Sequence, residues 1–463
     1  MPILIRVNGI ISSSPDFFQK NKEKGLEKYE KHVIVTDIVT CKSLDFSSSF
    51  SAFRCRVEQV VRMSLDKIKF RAKFLEAQNR IRNNFRELGP ARKRVLICGG
   101  GYPGIWLEHN QDNLFTIDFA PEEAWNSMEI FMDCQREDGL FPFAIWLINT
   151  KNPYGEPVFW HVQNILPFAR CALEIADRLG KEEACYARIY QCAAKFDRWL
   201  ETFRNTRKTG LVEMFCTWDT GHDNSPRVQC PEIPLACPEN NACNLLKTSL
   251  MPLLSADLSA MRYGALEALG TLARRLGKDR DADIWLEKRA DLREKILKLL
   301  YDPEDEFFYD LRPDGKFHKF RTEHVTRFFL NRVLTQSEFD RVYDRYFTVD
   351  GKEFRPAFPI PSVSVDDPAF DHRLPHNSWG CNSQGLTMLR ALLWMPEYHR
   401  EEDMEFFQRR WVEAVIDHDS DFQQELNPFS GEPIFSEKSK LKDYTPTLLI
   451  LLEYGKRHPE LLE

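Results

Sequence analysis

The sequence lacks a long apolar run and a concentration of positive charge. No stretch approaches the ~18 consecutive apolar residues typical of a membrane-spanning helix, and the apolar run at Pro2–Ile5 is too short for a signal peptide. The net charge of −7 over 463 residues is modest and is not gathered into a basic segment, so nucleic-acid binding is not indicated. These absences predict a soluble, cytoplasmic protein that has neither a membrane nor a nucleic acid as its partner.

The sequence also lacks the cysteine spacings of common metal sites. None of its twelve cysteines forms a C-x-x-C pair, and the densest group is Cys230, Cys237 and Cys243. The gaps within that group do not match the usual spacings of zinc ligands. We therefore predict reduced, structural cysteines and no metal.

Hydrophobic and aromatic residues are plentiful and support a large core. The hydrophobic fraction is 43%, with ten Trp and thirty-four Phe. Residues 1–52 carry two short strand patterns, 4–11 and 32–40, and are interpreted as an N-terminal extension. Residues 53–463 are interpreted as the main domain.

The main domain shows helical periodicity along most of its length. One long helix is predicted over 50–88, partly overlapping the extension. The other candidates span 121–135, 159–179, 183–204, 257–276, 280–300, 323–333, 337–346, 384–394, 403–416 and 444–458. Successive helices without a series of alternating strands predict an all-α fold. The eleven helices make close to six antiparallel pairs, which indicates a toroid or a solenoid. No fixed-length repeat is visible in the sequence, so a closed α/α barrel is favoured, with long loops that form a cleft at one end.

A glycine-rich run follows a predicted strand at 94–98. The run from Gly99 to Gly104 satisfies G-x-G-x-x-G, which raises the alternative of a dinucleotide site. That motif should open a helix within a βαβ unit, and no such alternation follows here. A turn that delivers Trp106 and Asp112 to a cleft is the favoured interpretation.

The segment from Thr217 to Arg227 gathers a Trp, two carboxylates, a His and an Arg in eleven residues, and Gly221 and Pro226 interrupt any regular element. A loop Asp beside Trp218 could have its pKa raised by the apolar ring, as a general acid requires. Glu425 lies about two hundred residues further along, before an Asn-Pro turn. Two carboxylates from distant segments are what glycoside hydrolysis requires.

The segment Trp218–Arg227 resembles the acid loop of the (α/α)6-barrel glycosidases related to mannosylglycerate and glucosylglycerate hydrolases, glucosidase I and trehalase (glycoside hydrolase families 63 and 37). The resemblance continues in order through 106–112, 138–139, 160 with 163, 257–260, 377–380 and 425–431. It covers about residues 93–460 and leaves the N-terminal extension unexplained.

The resemblance implies an inverting, exo-acting hydrolase of small α-glycosides. Asp223 would be the general acid and Glu425 the general base, without a metal or organic cofactor. The sugar site is expected to be lined by Trp106, Asp112, Gln135, Asp138, Trp160, Gln163, Trp218, Asp219, Arg227 and Trp379. Asp219 is the expected supporting hydrogen-bond partner within the acid loop.

Two positions depart from the family pattern. Relatives often carry the base Glu four residues before the proline of the Asn-Pro turn, where this chain has Gln424 followed by Glu425. Relatives tend to show Trp-x-Trp-Asp where this chain has Trp106-Leu-Glu-His. The alternatives are therefore a trehalase or related α-disaccharide hydrolase, and a non-catalytic sugar-binding toroid in which Gln424 marks a lost base. The oligomeric state stays open.

Overall fold

The computed structural model describes residues 65–89, 91–147, 155–371, 379–434 and 442–463, together with the backbone of 5–7 and 10–12. The chain separates into two compact units, Met1–Asp66 and Lys67–Glu463. In the first unit, strands β1 (Ile5–Val7) and β2 (Ile10–Ser12) form an antiparallel hairpin. Where a single strand was predicted over 4–11, the described residues thus form two short strands. The strand predicted at 32–40 and the domain boundary predicted at 52/53 lie outside the described residues.

The second unit is built mainly from helices. Its described residues form twelve α-helices: α1 (Lys67–Asn83), α2 (Asp112–Thr116), α3 (Pro121–Asp133), α4 (Phe168–Arg178), α5 (Glu183–Phe203), α6 (Ala256–Arg275), α7 (Asp279–Leu300), α8 (Thr326–Leu330), α9 (Gln336–Tyr346), α10 (Gly385–Trp394), α11 (Glu401–Asp417) and α12 (Thr445–Arg457). Every predicted helix has a counterpart among them. The short helix α2 was not predicted.

Three predicted helices differ in extent. The one expected over 50–88 ends at Asn83, and Phe85–Leu88 instead forms strand β3, antiparallel to β4 (Lys93–Leu96). The one expected from 159 begins only at Phe168, because the residue before a proline disfavours helical geometry and Pro167 stands at this helix start. The one expected over 323–333 is a 3-10 turn, Glu323–Val325, followed by α8.

Short joints turn neighbouring helices back on one another. Helices α4 and α5, and likewise α6 and α7, are joined by only a few residues, which favours antiparallel packing. Gly180 and Gly277 follow α4 and α6 at φ of 60° and 67°, the left-handed geometry that glycine adopts without strain. The amide of Lys278 donates to the carbonyl of Ala273, which completes the end of α6.

Helices α6, α10 and α12 are buried around most of their circumference, whereas α5 and α7 bury one face. Helix α6 packs against α4, α5, α7 and α8, and α12 packs against α1, α2, α10 and α11. The core therefore lies along a set of inner helices that outer helices cover.

Small antiparallel sheets fix the loops between the helices. One sheet joins β5 (Gly104–Trp106), β6 (Ala144–Trp146) and β7 (Glu156–Val158). A second joins β8 (Glu213–Met214) and β9 (Leu253–Leu254) to β12 (Asp310–Leu311) and β13 (Phe317–His318), and β10 (Tyr301–Asp302) pairs separately with β11 (Phe307–Phe308). The last pair is β14 (Ser383–Gln384) with β15 (Glu425–Leu426).

The glycine-rich run is a tight connection between strands rather than a nucleotide-binding turn. Strand β4 pairs with β3, and the run leads into β5 instead of a helix. A Cβ at Gly99 would lie 2.1 Å from the carbonyl oxygen of Asp443, and one at Gly104 would lie 2.2 Å from that of Ile145. Close backbone approach therefore accounts for these glycines, and the βαβ unit of a dinucleotide site is absent from this described segment.

Candidate active site

A cavity of about 350 Å³ opens where several connecting segments meet. This volume falls within the range of small-molecule sites and is near its lower end. The described side chains that line it are Cys98, Tyr102, Trp106, Glu108, His109, Phe143, Trp146, Trp160, His161, Gln163, Trp218, Asp223, Trp379, Leu386, Gln424 and Tyr444, with Gly221. Segments that are distant in sequence are thus brought to one place.

Aromatic rings form much of the cavity wall. Trp106, Trp160, Trp218 and Trp379, all predicted for the sugar site, line it together with Trp146. The rings of Trp146 and Trp160 pack edge to face, with centroids 5.3 Å apart. Such mutual packing fixes the orientation of the rings that a ligand would meet.

The acid loop is anchored by Asp219, which is fully buried. Its carboxylate accepts hydrogen bonds from the amides of Phe215 at 2.7 Å and Val162 at 2.8 Å, and pairs with Arg204 at 2.5 and 3.0 Å. The positive charge of Arg204 and these amides hold the pKa of Asp219 below its usual value, against the effect of burial. Asp219 therefore supports the loop and, although it was predicted for the sugar site, is not among the residues that line the cavity.

Asp223 follows this anchor and is half-buried on the cavity wall. Between them, Gly221 adopts the left-handed geometry at φ 71°. The hydroxyl of Tyr102 lies near this acid: burial raises the pKa of Tyr102, and the negative charges of Asp223 and Glu425 raise it further. The two predicted catalytic carboxylates therefore both lie within electrostatic range of one phenol.

Arg227 lies behind the wall rather than on it. Its side chain is 1% exposed and pairs with Asp257 at 2.8 and 3.0 Å and with Asp310 at 2.7 and 2.8 Å. These two carboxylates engage all three guanidinium nitrogens and four of the five N–H donors, so Arg227 belongs to a structural ion cluster behind the wall. The cluster fixes the end of the acid loop.

A second arginine extends the cluster to His222, the neighbour of Asp223. Arg327 pairs with Asp257 at 2.7 Å and with Glu323 at 3.1 Å, and both Arg327 and Glu323 meet His222 Nε2 at 2.5 Å. The His222 ring in turn packs on Trp379, with centroids 4.7 Å apart. Buried charges therefore support the acid loop from behind.

Three further predicted residues also lie off the cavity. Gln135 donates to two backbone carbonyls, those of Gly139 and Cys192, each at 2.8 Å. Asp138 is exposed and pairs with Arg136. Asp112 is buried behind the wall, where it accepts a hydrogen bond from His109. The polar partners of each side chain account for its position.

The base region places Gln424, not Glu425, on the cavity wall. Gln424 accepts a hydrogen bond from Tyr102 at 3.0 Å and donates to Gln384 at 3.2 Å. Glu425 is 3% exposed, and its Oε2 accepts a hydrogen bond from Asn382 at 2.6 Å. Gln424 directly precedes β15 and Glu425 begins it, and their side chains meet different partners.

Glu108 and His109 line the cavity and were not predicted as site residues. The sequence contained a signal for them, because they replace the Trp-Asp that relatives tend to carry at these two positions. Arg390, Arg327 and His109 lower the pKa of the buried Glu108. The neighbouring His109 has a raised pKa, to which the negative charge of Asp112 contributes. This wall is therefore charged where an aromatic ring was expected.

Within the described residues, one group has the geometry of metal ligands: Cys216, Asp219 and Cys237. The Sγ atoms of the two cysteines lie 3.5 Å apart. However, the bidentate pair with Arg204 already occupies the Asp219 carboxylate. This donor set therefore serves the ion pair and does not suit a metal.

Buried histidines make stability depend on pH. Burial lowers the pKa of His161 to about 4, of His222 to about 4 and of His324 to about 3. In the unfolded chain histidines bind protons below a pH of about 6.5, so between there and about 4 the unfolded state holds the extra protons. As the pH falls through that window, we expect the free energy of unfolding to decrease by about 1.4 kcal/mol per histidine for each pH unit. Urea denaturation at a series of pH values measures this decrease.

Between pH 5 and 6.5 His318 acts in the same direction as these groups, since burial also lowers its pKa. Carboxylates with lowered pKa release their stabilisation at lower pH, and His109, whose pKa is raised, contributes with the opposite sign. His324→Gln should reduce the slope of the free energy of unfolding against pH by the contribution of one histidine. A free energy of unfolding that stays constant or rises as the pH falls from 6.5 to 5 would contradict the prediction.

No helix in the described ranges combines the length and the apolar character that crossing a membrane requires.

Comparison with known proteins defines the class as glycoside hydrolases. The family model of the mannosylglycerate hydrolase MGH1-like glycoside hydrolase domain matches residues 114–445, well over half of the chain. The chain therefore belongs to this family of glycoside hydrolases. Mannosylglycerate hydrolase MGH1 of Selaginella moellendorffii is 27% identical over 164 residues, and that match covers 30% of this chain and 33% of the relative. The match thus spans about a third of that relative's length.

Several solved structures have a similar fold. The mannosylglycerate hydrolase of Thermus thermophilus, in complex with glucose, matches with a TM-score of 0.64 at 16% identity, covering 82% of this chain and 99% of its own. Neutral trehalase Nth1 of Saccharomyces cerevisiae matches with a TM-score of 0.59 at 13% identity, covering 79% and 74%. At these identities the likeness shows a shared fold.

Proposed function

We propose that this chain is an inverting, exo-acting glycosidase that cleaves a small α-glycoside, and that its helices form an (α/α)6 barrel around the cavity. The observation that carries this proposal is the position of Asp223 on the wall of a small aromatic cavity. The Asp219–Arg204 pair supports it, because it fixes the loop that presents Asp223. A cavity of about 350 Å³ suits a short substrate better than a polymer.

The proposed reaction is a single displacement. Asp223 donates its proton to the leaving glycosidic oxygen, and Glu425 accepts a proton from the water that attacks the anomeric carbon from the opposite face. Asn382 supports this role, since its amide orients the Glu425 carboxylate. The tryptophan rings of the wall hold the sugar ring in the cavity beside Asp223.

Glucosylglycerate and mannosylglycerate are the proposed substrates, because the matching family and relatives are mannosylglycerate hydrolases. An α-disaccharide such as trehalose is the second candidate, because a neutral trehalase shares the fold. Both are small α-glycosides with one terminal sugar to remove.

A substrate panel tests the reaction. We expect release of a monosaccharide from at least one member of a set of α-glucosides and α-mannosides that includes the glycerates and trehalose. Proton NMR should detect the β-anomer first, because a single displacement inverts the anomeric centre. Product that first forms as the α-anomer would exclude inversion, and an equal rate with Asp223→Asn would contradict the assignment of the acid.

A further inference from the structure

Glu108 places a carboxylate where the family pattern has an aromatic ring. It lies in the 3-10 turn Leu107–His109 that directly follows β5, and it lines the cavity. Its side chain is only 4% exposed. A carboxylate so far from bulk water must be held by specific donors.

Two donors from distant segments hold it. Arg390 Nη2 donates to Oε1 at 2.9 Å, and Gln163 Nε2 donates to Oε2 at 2.5 Å. Gln163 was expected to bind sugar directly, and its amide nitrogen instead orients Glu108. With the pKa lowered by Arg390 in particular, the side chain is an anion at neutral pH.

The held carboxylate keeps acceptor capacity for a ligand. An ionised carboxylate offers about four lone-pair positions, and these two described donors take one on each oxygen. The remaining positions on the two oxygens form a fork. Two neighbouring hydroxyl groups on a sugar ring match such a fork, because each can donate one hydrogen bond.

The acid loop is fitted around this carboxylate. A Cβ at Gly221 would lie 2.5 Å from Glu108 Oε2, so only glycine allows the loop to approach this closely. Gly221 stands two residues before Asp223. Glu108 is therefore next to the loop that carries the proposed acid.

We propose that Glu108 is a specificity-determining residue, which selects the terminal sugar by accepting hydrogen bonds from two neighbouring ring hydroxyls. The inference rests on the proposed function, since it names the group that recognises the sugar in that cavity. The ligand class is a sugar with two adjacent free hydroxyls, bound by charge-assisted hydrogen bonds in addition to ring stacking.

Equilibrium binding tests the proposal without turnover. Titrations of D-glucose, D-mannose and their monodeoxy derivatives are followed by tryptophan fluorescence in the Asp223→Asn chain, with and without Glu108→Gln. We expect Glu108→Gln to weaken binding of the parent sugar about ten- to a hundredfold, the loss of hydrogen bonds to a charged group. Derivatives that lack a hydroxyl bound by Glu108 should bind weakly to the Asp223→Asn chain. Adding Glu108→Gln to that chain should lower their affinity only a little further.

The control is Glu122→Gln, which removes an equal charge from the exposed start of α3 and should leave binding unchanged. Removing one sugar hydroxyl should weaken binding less in the Glu108→Gln chain than in the chain that keeps Glu108, and an equal loss in both would overturn the proposal. Unchanged affinity of the Glu108→Gln chain for D-glucose and D-mannose would also overturn it. If the Glu108→Gln chain does not fold, Glu108→Asp is used instead, because it withdraws the carboxylate by one methylene. Sugar affinities equal to those of the chain that keeps Glu108 would then overturn the proposal. If no sugar binds, both the proposed function and the role of Glu108 are overturned. If the Asp223→Asn chain is active and Glu108→Gln still has the expected effects on binding, only the assignment of the acid is overturned.

Discussion

Replacing Asp223 by asparagine is expected to lower kcat by about a hundred- to ten-thousandfold, the range that general acid catalysis contributes. Asparagine has nearly the same size and can occupy the same half-buried position, but it cannot donate a proton to the leaving oxygen. The measurement is the steady-state rate on the best substrate of the panel. Circular dichroism and thermal unfolding should match the parent chain, because the Asp219–Arg204 pair that anchors the loop is unchanged.

The leaving group separates loss of the acid from general damage. In a 4-nitrophenyl glycoside of the same sugar, the leaving group is 4-nitrophenolate, which departs without protonation. The Asp223→Asn chain should therefore recover much of its rate with this substrate. An equally large loss on activated and alkyl glycosides would contradict the role of Asp223 as the acid. Sugar affinity should stay within a few-fold, since the aromatic wall is unchanged.

The sequence pattern predicted the helices well because their ends carry local chemistry. The glycines after α4 and α6 end these helices in left-handed geometry. The Pro-Glu-Glu start of α3 suits a first turn, because proline has no amide hydrogen to leave unbonded and the two acids complement the helix dipole. Strands were predicted at 4–11 and 94–98, and β4 confirms the second. The other described strands were missed because most have only two or three residues, too few for an alternating pattern. Their pairing depends on partners that are far away in the chain.

The candidate site was predicted in part for a related reason. The tryptophans of the loops do reach one cavity, but residue type does not determine where a polar side chain points. Arg227 was expected at the sugar and instead meets Asp257 and Asp310, which come from α6 and β12. A single sequence cannot show that these distant carboxylates converge on one guanidinium. The departure at Glu108 was visible as a broken motif, although its role needed the positions of Gln163 and Arg390.

The second large effect is expected from Glu425→Gln, which should lower kcat at least a hundredfold if this carboxylate activates the water. The prediction is demanding, because Gln424 faces the cavity while Glu425 is held by Asn382 on the other side of β15. The matched control is Gln424→Leu, which removes the Tyr102 hydrogen bond but no carboxylate, and should change kcat far less. Turnover close to the parent's with Glu425→Gln would make this base assignment wrong and turn attention to Glu108, the other acidic side chain beside Asp223 on the described wall.

Chemical rescue examines the same residue by its product. Glu425→Ala leaves space for a small anion, and azide can attack the anomeric carbon without a base, since it carries its own charge. We expect azide to restore turnover and to yield a glycosyl azide of inverted configuration, identified by proton NMR. Because the azide replaces the water on the face opposite Asp223, its configuration reports the side from which Glu425 acts. A glycosyl azide of retained configuration, or rescue of Glu108→Ala but not of Glu425→Ala, would place the base elsewhere.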